Sequence, residues 1–365
     1  MLTYKQSGVS YEAMDPLKRL AQAAGQKTVH NIVNSGLQEV SLSRGESAYV
    51  LDQGSSYLAS VIEGLGTKNL VADAMRTITG KTYYDDLAQD TVAMIINDLI
   101  TVGARPINVL AYWAAGSAQW FEDQDRLSDL VEGWKQACDK AGAVWGGGET
   151  PTLTGVIEKN AIDLGGSAFG IIKPKSRLSL GEKLQAGDAI VLFESSGIHA
   201  NGITLARKIA ESLPKGFATD IGKGVLYGEA LLKPTIIYAK LIQDLFKERV
   251  DIHYMANITG HGWRKIMRFN APFIYRMHMV TPVPLILQYI YAQGPLEEME
   301  AYGNLNMGAG YAVFIPQKDV EKVIHIAKRH SIKAYNAGRV EKGKKQVIIE
   351  PKNIIFEGDS LKVRA

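Results

Sequence analysis

A turn that combines glycines, a carboxylate and a lysine is the first feature of the sequence that could do chemistry. It spans residues 63–68 and reads Glu-Gly-Leu-Gly-Thr-Lys. Gly64 and Gly66 would let backbone N–H groups approach phosphate oxygens closely, and Lys68 adds a positive charge. The spacing is not that of a Walker motif, which has four residues between its glycines and Lys-Ser/Thr after them. Because a glycine turn at a strand end is also ordinary loop chemistry, a phosphate site and a plain turn both stay open.

The segment 90–98 reads Asp-Thr-Val-Ala-Met-Ile-Ile-Asn-Asp and is predicted to be helical. Asp90, Met94, Asn97 and Asp98 fall on one helical face, and the other faces are apolar. The two aspartates would lie roughly 12 Å apart, too far to chelate one ion together. They could hold different Mg²⁺ ions along one triphosphate, since Mg²⁺ takes one or two carboxylates plus phosphate oxygens. The alternative is a solvated helix edge or a pair of capped carboxylates.

Three consecutive glycines lead into a carboxylate in the segment 145–150, Trp-Gly-Gly-Gly-Glu-Thr. Gly147 and Gly148 place Glu149 where the backbone passes very close to another group. A metal-bound nucleotide and a tight packing turn fit this pattern equally well.

A polar turn at 195–202, Ser-Ser-Gly-Ile-His-Ala-Asn-Gly, is predicted between a strand and a helix. Asn201 is expected to cap that helix, and a helix N-terminus is a common place to receive an anion. His199 has little packing to do in such a turn. It could act as a general acid or base, or donate a hydrogen bond to a developing oxyanion.

The elements that must position these residues alternate between strand-like and helix-like patterns, which predicts an α/β or α+β fold. Strands are expected at 57–62, 107–115, 162–172, 189–194, 311–315 and 334–340, and helices at 86–102, 125–141, from about 202, 228–246 and 320–329. The basic, proline-containing segment 173–177 marks a boundary. We therefore expect two domains, 1–172 and 173–365, which the length of 365 residues allows.

Composition narrows the class of protein. Lys and Arg number 41 against 38 Asp and Glu, and the basic residues are dispersed, so nucleic acid is not an expected partner. Residues 1–8 lack the pattern of a signal peptide, and no apolar run approaches the roughly 20 residues that span a bilayer. A soluble, cytoplasmic protein is expected. Cys138 is the single cysteine, which excludes an internal disulfide and a cysteine-based metal cluster.

Taken in order, these segments resemble the aminoimidazole ribonucleotide (AIR) synthetase family. The family features are an opening Tyr-Lys-x-x-Gly-Val (here at 4–9), Asp-Gly-Val-Gly-Thr-Lys, Asp-Leu-Val-Ala-Met-x-x-Asn-Asp-Leu, Gly-Gly-Glu-Thr, Ser-Ser-Gly-x-His-Ser-Asn-Gly and Leu-Leu-x-Pro-Thr-x-Ile-Tyr. The last appears here at 231–238. The resemblance covers nearly the whole chain, from residue 4 to about 350.

The resemblance implies a fold, a reaction and a set of site residues. The N-terminal domain would form a barrel across a homodimer, and the C-terminal α/β domain would close the active cleft. With ATP and Mg²⁺, the enzyme would close formylglycinamidine ribonucleotide into an imidazole ring by phosphorylating its formyl amide oxygen. The implied metal-site residues are Glu63, Asp90, Asp98 and Glu149. The implied nucleotide-site residues are Gly64, Gly66, Thr67, Lys68, Asn97, Gly147 and Gly148, and His199, Asn201 and Lys68 would act on the substrate or the transferring phosphoryl group.

Several positions depart from the family pattern. Glu63 stands where the family has Asp, the segment 41–50 has one glycine in place of a Gly-Gly-Phe-Gly-type loop, and Gln22 falls on a family lysine, with Lys18 nearby. Further departures are Arg105 in place of a family glutamate, Ala111 of an aspartate, Asn257 of a histidine, His261 of a glycine and Gly303 of an arginine. Two alternatives to AIR synthetase therefore stay open: a divergent paralogue that phosphorylates another amide, carbonyl or phosphate, and a nucleotide-binding dimer without turnover.

Overall fold

The computed structural model describes residues 11–294 and 296–361. The opening motif at 4–9 and the segment 1–8, which lacks the sequence pattern of a signal peptide, lie outside these residues. None of the described helices is both long and apolar enough to cross a membrane.

The first half of the described chain folds around a six-stranded sheet, in which the strands follow the order β1-β2-β3-β6-β4-β5. The strands are β1 (Gln38–Glu39), β2 (Tyr49–Asp52), β3 (Tyr57–Gly64), β4 (Arg105–Ala115), β5 (Val144–Glu149) and β6 (Ile162–Ile172). The helices are α1 (Tyr11–Gln26), α2 (Lys68–Thr79), α3 (Tyr84–Leu99) and α4 (Gln124–Ala141). All neighbouring strands pair antiparallel except β4 and β5, which run parallel.

Helix α3 is the central element of this half. It packs against β3 and β6 on one side and against α4 on another. Residues 90–99 are all buried, including Asp90 and Asp98. Burial on every side explains why the segment is so apolar, and it places its few polar side chains inside the protein.

The second half contains a seven-stranded sheet in the order β13-β12-β9-β11-β7-β10-β8. Its strands are β7 (Ala189–Glu194), β8 (Tyr254–Asn257), β9 (Phe273–Met277), β10 (Ala309–Ile315), β11 (Ala334–Lys342), β12 (Gln346–Ile349) and β13 (Ile354–Glu357). Its helices are α5 (Ile203–Ser212), α6 (Tyr227–Leu232), α7 (Ala239–Lys247), α8 (Leu285–Gln293), α9 (Glu298–Asn304) and α10 (Val320–Arg329). A 3₁₀ helix, Gly262–Met267, follows β8.

The mixed α/β fold predicted from the sequence is confirmed. The strands predicted at 162–172 and 189–194 and the helix at 320–329 agree with the observed bounds. The domain division between residues 172 and 173 stays a prediction, although each sheet is built from strands on one side of it.

The single long helix predicted at 228–246 is wrong, because the chain forms α6 and α7 with an extended break between them. Pro234 lies in this break, where its ring prevents continuation of the helix. The break also leaves backbone groups free to bond with α3. Thr235 N donates to Asp90 Oδ1 at 2.8 Å, and Tyr238 N donates to Asn97 Oδ1 at 3.0 Å.

Candidate active site

A cleft of about 410 Å³ opens between the two halves of the chain. The first half contributes α1, the turn before β2, the end of β3 and one face of α3, and the second half contributes the turns at 201 and 259–268. The lining residues are Lys18, Gln22, Gly45, Glu46, Ser47, Glu63, Met94, Asp98, Asn201, Thr259, Gly260, His261, Lys265 and Arg268.

Two carboxylates on the first-half side of the cleft form a hydrogen-bonded pair. Glu63 lies near the end of β3 and Asp98 near the end of α3, and their side chains share a hydrogen bond. Burial, together with the nearby Asp98 carboxylate, raises the pKa of Glu63. Asn257 on β8 donates from Nδ2 to Asp98 Oδ1 at 2.7 Å and so orients that carboxylate. A bound divalent cation would offset the repulsion between the two carboxylates.

Two cations face this pair from the second half. Lys265 lies on the 3₁₀ helix and Arg268 directly after it. Arg268 Nη2 donates to Gly45 O at 2.7 Å, and its Nε lies 3.4 Å from Glu46 Oε2. Burial and the charge of Arg268 lower the pKa of Lys265. The cleft thus sets cations opposite carboxylates across a space of nucleotide size, which suits a polyphosphate chain accompanied by a divalent cation.

Lys68 and Asp90, both predicted in the phosphate and metal site, form a buried ion pair with each other. Lys68 Nζ lies 2.6 Å from Asp90 Oδ2, and both side chains are 0% exposed. Lys68 also donates to His199 O at 3.0 Å and to Lys233 O at 3.2 Å, while Asp90 Oδ1 accepts from Thr235. Neither residue lines the cleft. Their observed role is to join α2 and α3 to the second half.

His199 is buried, although little packing was expected for a histidine in this turn. Its Nε2 accepts a hydrogen bond from Ser196 N at 3.2 Å, which puts the ring proton on Nδ1. Burial and the charge of Lys68 lower the pKa of His199 to about 3. The imidazole is therefore neutral at pH 7. It holds the shape of the turn and has no ionisable proton to give as an imidazolium acid.

Asn201 lies in the cleft, as its predicted substrate role requires, but it does not cap the helix. The predicted cap is wrong because Gly202 occupies the position before α5. Asn201 Oδ1 is buried and has no hydrogen-bond partner among the described residues. A substrate N–H or O–H could satisfy this oxygen.

Asn97 does not line the cleft. It donates to Ile236 O at 2.8 Å and accepts from Tyr238 N, so both ends of its amide are used inside the fold.

The turn after β3 lies next to the cleft residue Glu63. In this turn, Gly66 has a φ of +76°, which favours glycine. Thr67 precedes α2, and its Oγ1 has no partner within the described chain. Gly64 is exposed at the end of β3, so the turn can still approach a ligand.

The glycine triplet belongs to an edge strand at some distance from the carboxylate pair. Gly148 in β5 is three strands from Glu63 in β3, about 14 Å at the usual strand spacing. Glu149 pairs with Tyr112, which is exposed on the sheet face opposite α3. An ideal Cβ at Gly148 would lie 2.3 Å from Ala111 O, so close strand packing alone requires glycine there. Within one chain, Glu149 and Glu63 cannot bind the same ion.

Comparison with known proteins identifies the family to which this chain belongs. Residues 45–172 match the family model of the AIR synthase related protein N-terminal domain, and residues 185–350 match that of the C-terminal domain. The phosphoribosylformylglycinamidine cyclo-ligase of Pyrococcus furiosus is 36% identical over 359 residues, covering 98% of this chain and 100% of the relative. The chain belongs to this family. The same enzyme of Carboxydothermus hydrogenoformans is 34% identical over 362 residues, covering 95% and 98% of the two chains.

Solved structures support the same fold. A HypE–HypF complex matches with a TM-score of 0.59 at 19% identity, covering 83% of this chain and 88% of that one. AaThiL complexed with AMPPCP and TMP matches with a TM-score of 0.57 at 14% identity, covering 85% and 89%. T. maritima PurL complexed with FGAR matches with a TM-score of 0.56 at 15% identity, covering 88% of this chain and 48% of that one.

Several departures from the family pattern lie together in the cleft. Gln22, which stands for a family lysine, lines the cleft one helical turn after Lys18, so a lysine remains on the same face of α1. Asn257 replaces a histidine and holds Asp98, as described above. His261 replaces a glycine; its Nε2 lies 3.5 Å from Asp15 Oδ2. Burial and the surrounding cations lower the pKa of His261 to about 2, so its ring is neutral.

The other departures lie away from the carboxylate pair. Arg105 is exposed at the start of β4, and Ala111 is buried in the middle of that strand. Gly303, which stands for a family arginine, lies on α9 beside Arg264, whose Nε donates to Gly303 O at 2.9 Å. None of these three residues lines the cleft.

The cleft residues fit Mg²⁺ and ATP. Within residues 11–294 and 296–361, no group of three or more His, Cys, Asp or Glu side chains forms a closed metal site. Mg²⁺ requires less than that, because it binds through one or two carboxylates and fills its remaining positions with phosphate oxygens and water. Glu63 and Asp98 supply such a pair.

Lys265 and Arg268 were missed at the sequence level. The signal that could have found them is the group of three cations, Arg264, Lys265 and Arg268, within the six residues after the glycine turn at 259–262.

Proposed function

We propose that this chain catalyses the ATP-dependent closure of formylglycinamidine ribonucleotide to aminoimidazole ribonucleotide. Its relatives carry the name of that activity. The observation that carries the proposal is the cleft in which Glu63 and Asp98 face Lys265 and Arg268. In the reaction the formyl amide oxygen takes the phosphoryl group of ATP, the amidine nitrogen attacks the resulting imidate carbon, and phosphate leaves.

The residues of the cleft have separate tasks in this scheme. Glu63 and Asp98 would hold Mg²⁺, which when bound neutralises phosphate charge and orients the triphosphate. Lys265 and Arg268 contact the phosphate oxygens, where charge-assisted hydrogen bonds are strongest. The unpaired Asn201 Oδ1 accepts a hydrogen bond from the substrate.

The remaining predicted residues support the cleft or stay as proposed nucleotide contacts. Gly64, Gly66 and Thr67 form the turn nearest the carboxylates and are proposed to meet the nucleotide. Lys68, Asp90, Asn97 and His199 are proposed to hold the two halves in register, since their polar atoms bond within the fold.

A direct assay tests the function. Purified protein, ATP, Mg²⁺ and formylglycinamidine ribonucleotide should yield ADP and the imidazole product in equal amounts. ADP formation with another amide, and none with this substrate, would favour the divergent paralogue. The changes at Glu63, Asn257 and His261 are the observations that support this alternative. Binding of ATP without any ADP release would leave only a nucleotide-binding protein.

We also propose that the chain forms a homodimer and acts in the cytoplasm. The face of the first-half sheet opposite α3 presents apolar side chains, with Ile62 77%, Val144 67% and Leu110 40% exposed. The strand registers place Ile62 and Leu110 on either side of Ser167 in one row, and Phe169 and Val144 in the next. A continuous apolar face of this kind is typical of a protein interface.

A further inference from the structure

A second cavity, of about 570 Å³, lies between the segment that connects the two halves and the end of α7. We call it the hinge cavity and define it by Arg177, Lys183, Phe246, Lys247, Arg249 and Asp251. Four of these side chains are cations and one is an acid. Pro174, Ser176 and Arg177 of the segment 173–177 line the cavity, and the proposed function gives them no role.

No carboxylate among the described residues compensates the charge of Arg177. Its guanidinium lies over the Phe246 ring, with 4.3 Å from Cζ to the ring centroid, and Nη2 donates to Gln243 Oε1. Nε is buried without an acceptor among the described residues. Burial and the charge of the neighbouring Arg105 lower the pKa of Arg177. No carboxylate in the described part of the chain raises it. A partly buried guanidinium without a counter-ion is costly, so this site favours an anion.

The other charges do not cancel this excess. Asp251 is already shared, with its oxygens 3.9 Å from Lys183 Nζ and 3.3 Å from His253 Nε2. The C-terminus of α7 supplies the equivalent of about half a negative charge, which offsets only a small part of the three cations that remain, Arg177, Lys247 and Arg249. Arg249 has a φ of +59° directly after this helix, a position where glycine is usual.

The hinge cavity is separate from the active cleft. Glu63 in the cleft pairs with Gly166 of β6, and β6 runs on to Ile172, just before the hinge segment. Six residues of strand span about 20 Å. A ligand in one site therefore does not touch the other.

We propose that the hinge cavity binds a small anion that carries two phosphate groups, either inorganic diphosphate or a nucleoside diphosphate. Lys247 and Arg249 contact the phosphate oxygens from the rim, and Arg177 neutralises them from the floor. A cavity of 570 Å³ accommodates such a molecule. Because its walls come from the connecting segment and from α7, the bound anion would hold that segment against α7.

Isothermal titration of the full chain with inorganic pyrophosphate tests this proposal. The active cleft is first saturated with AMPPCP and Mg²⁺, and the heat of titrating pyrophosphate into the same solution without protein is subtracted, because pyrophosphate also binds Mg²⁺. The remaining heat then reports another site on the protein. We expect one pyrophosphate per chain and a rise in the unfolding temperature. The double variant Lys247→Gln/Arg249→Gln should bind about 10- to 100-fold more weakly, the usual effect of losing charge-assisted hydrogen bonds. Both positions lie at the rim, so the variant should fold.

Controls separate this site from general charge effects. The double variant Lys81→Gln/Lys215→Gln removes the same two charges from exposed lysines elsewhere and should bind as the wild type does. Arg177→Gln should weaken binding as the double variant does. A parallel titration with ADP distinguishes the two candidate ligands. If ADP binds the hinge cavity with a Kd well below that of pyrophosphate, the ligand is a nucleoside diphosphate. An equal Kd identifies the inorganic anion. Equal pyrophosphate affinity in wild type and double variant, or no binding to wild type at millimolar concentration, would overturn the proposal.

Discussion

Asp98 is the side chain on which the proposed metal site depends most directly. Its carboxylate bonds with Glu63 and is oriented by Asn257. Loss of a group that only orients a metal ligand costs about 10- to 100-fold in affinity or activity, so loss of the ligand itself should cost more. We therefore expect Asp98→Asn to lower ATP turnover by more than about 100-fold, measured as ADP release with Mg²⁺ varied. The matched control Asp359→Asn, at an exposed position, should turn over normally; equal rates in both variants would remove Asp98 from the metal site.

Lys68 provides a test between the sequence prediction and the observed contacts. If it neutralises Asp90 inside the fold, Lys68→Met leaves a buried aspartate without its partner. Breaking such a pair costs about 3–5 kcal/mol of unfolding free energy. The double variant Lys68→Met/Asp90→Asn should recover much of the loss, because the buried charge is gone. Urea unfolding followed by tryptophan fluorescence measures both. A Lys68→Met protein of normal stability that no longer binds ATP would instead make Lys68 the phosphate ligand predicted from the sequence.

At the scale of elements, α3 is joined to the break between α6 and α7 through Asn97. Its amide satisfies Ile236 O and Tyr238 N, and Asn97→Ala would leave both buried groups unpaired. Each unpaired group costs about 1–3 kcal/mol, so a loss of about 2–6 kcal/mol is expected. Affinity for ATP, measured by calorimetry on the folded protein, should not change. The exposed Asn160→Ala variant is the control. Weakened ATP binding at unchanged stability would return Asn97 to the nucleotide site.

The same elements show which features the sequence could predict. The apolar periodicity of residues 90–99 and the runs at 162–172 and 189–194 are local signals, and the structure confirms the elements they predict. Pro234 is also a local signal, because it interrupts the helix. The backbone N–H groups that this break frees, however, bond with Asp90 and Asn97 in another part of the fold. The apolar residues of the segment 90–98 indicate that the helix is buried. The partners of its polar residues could not be predicted, because they come from a distant part of the chain.

At the scale of the whole molecule, the cleft brings together residues that are far apart in the chain. Glu63 and Asp98 were predicted as site residues, and both line the cleft. Lys265 and Arg268 were not predicted, because nothing in a single sequence shows that a 3₁₀ helix of the second half lies opposite the first-half sheet. The motif at 195–202 was correctly placed at a turn, yet its histidine points into the fold and its asparagine into the cleft.

Assembly is the remaining property of the whole molecule, and the outer face of the first-half sheet makes it testable. Ile62 is 77% exposed on that face and carries no charge that would keep two copies apart. We expect the protein to sediment at equilibrium with about twice the 39.9 kDa mass of one chain. Ile62→Lys should shift it to the monomer, because dimer formation would bury an unpaired ammonium group. Ile355→Lys, at an exposed isoleucine on β13, adds the same charge to the other sheet and should remain dimeric. A monomeric wild type, or an Ile62→Lys protein that stays dimeric, would show that copies of the chain do not meet through this face.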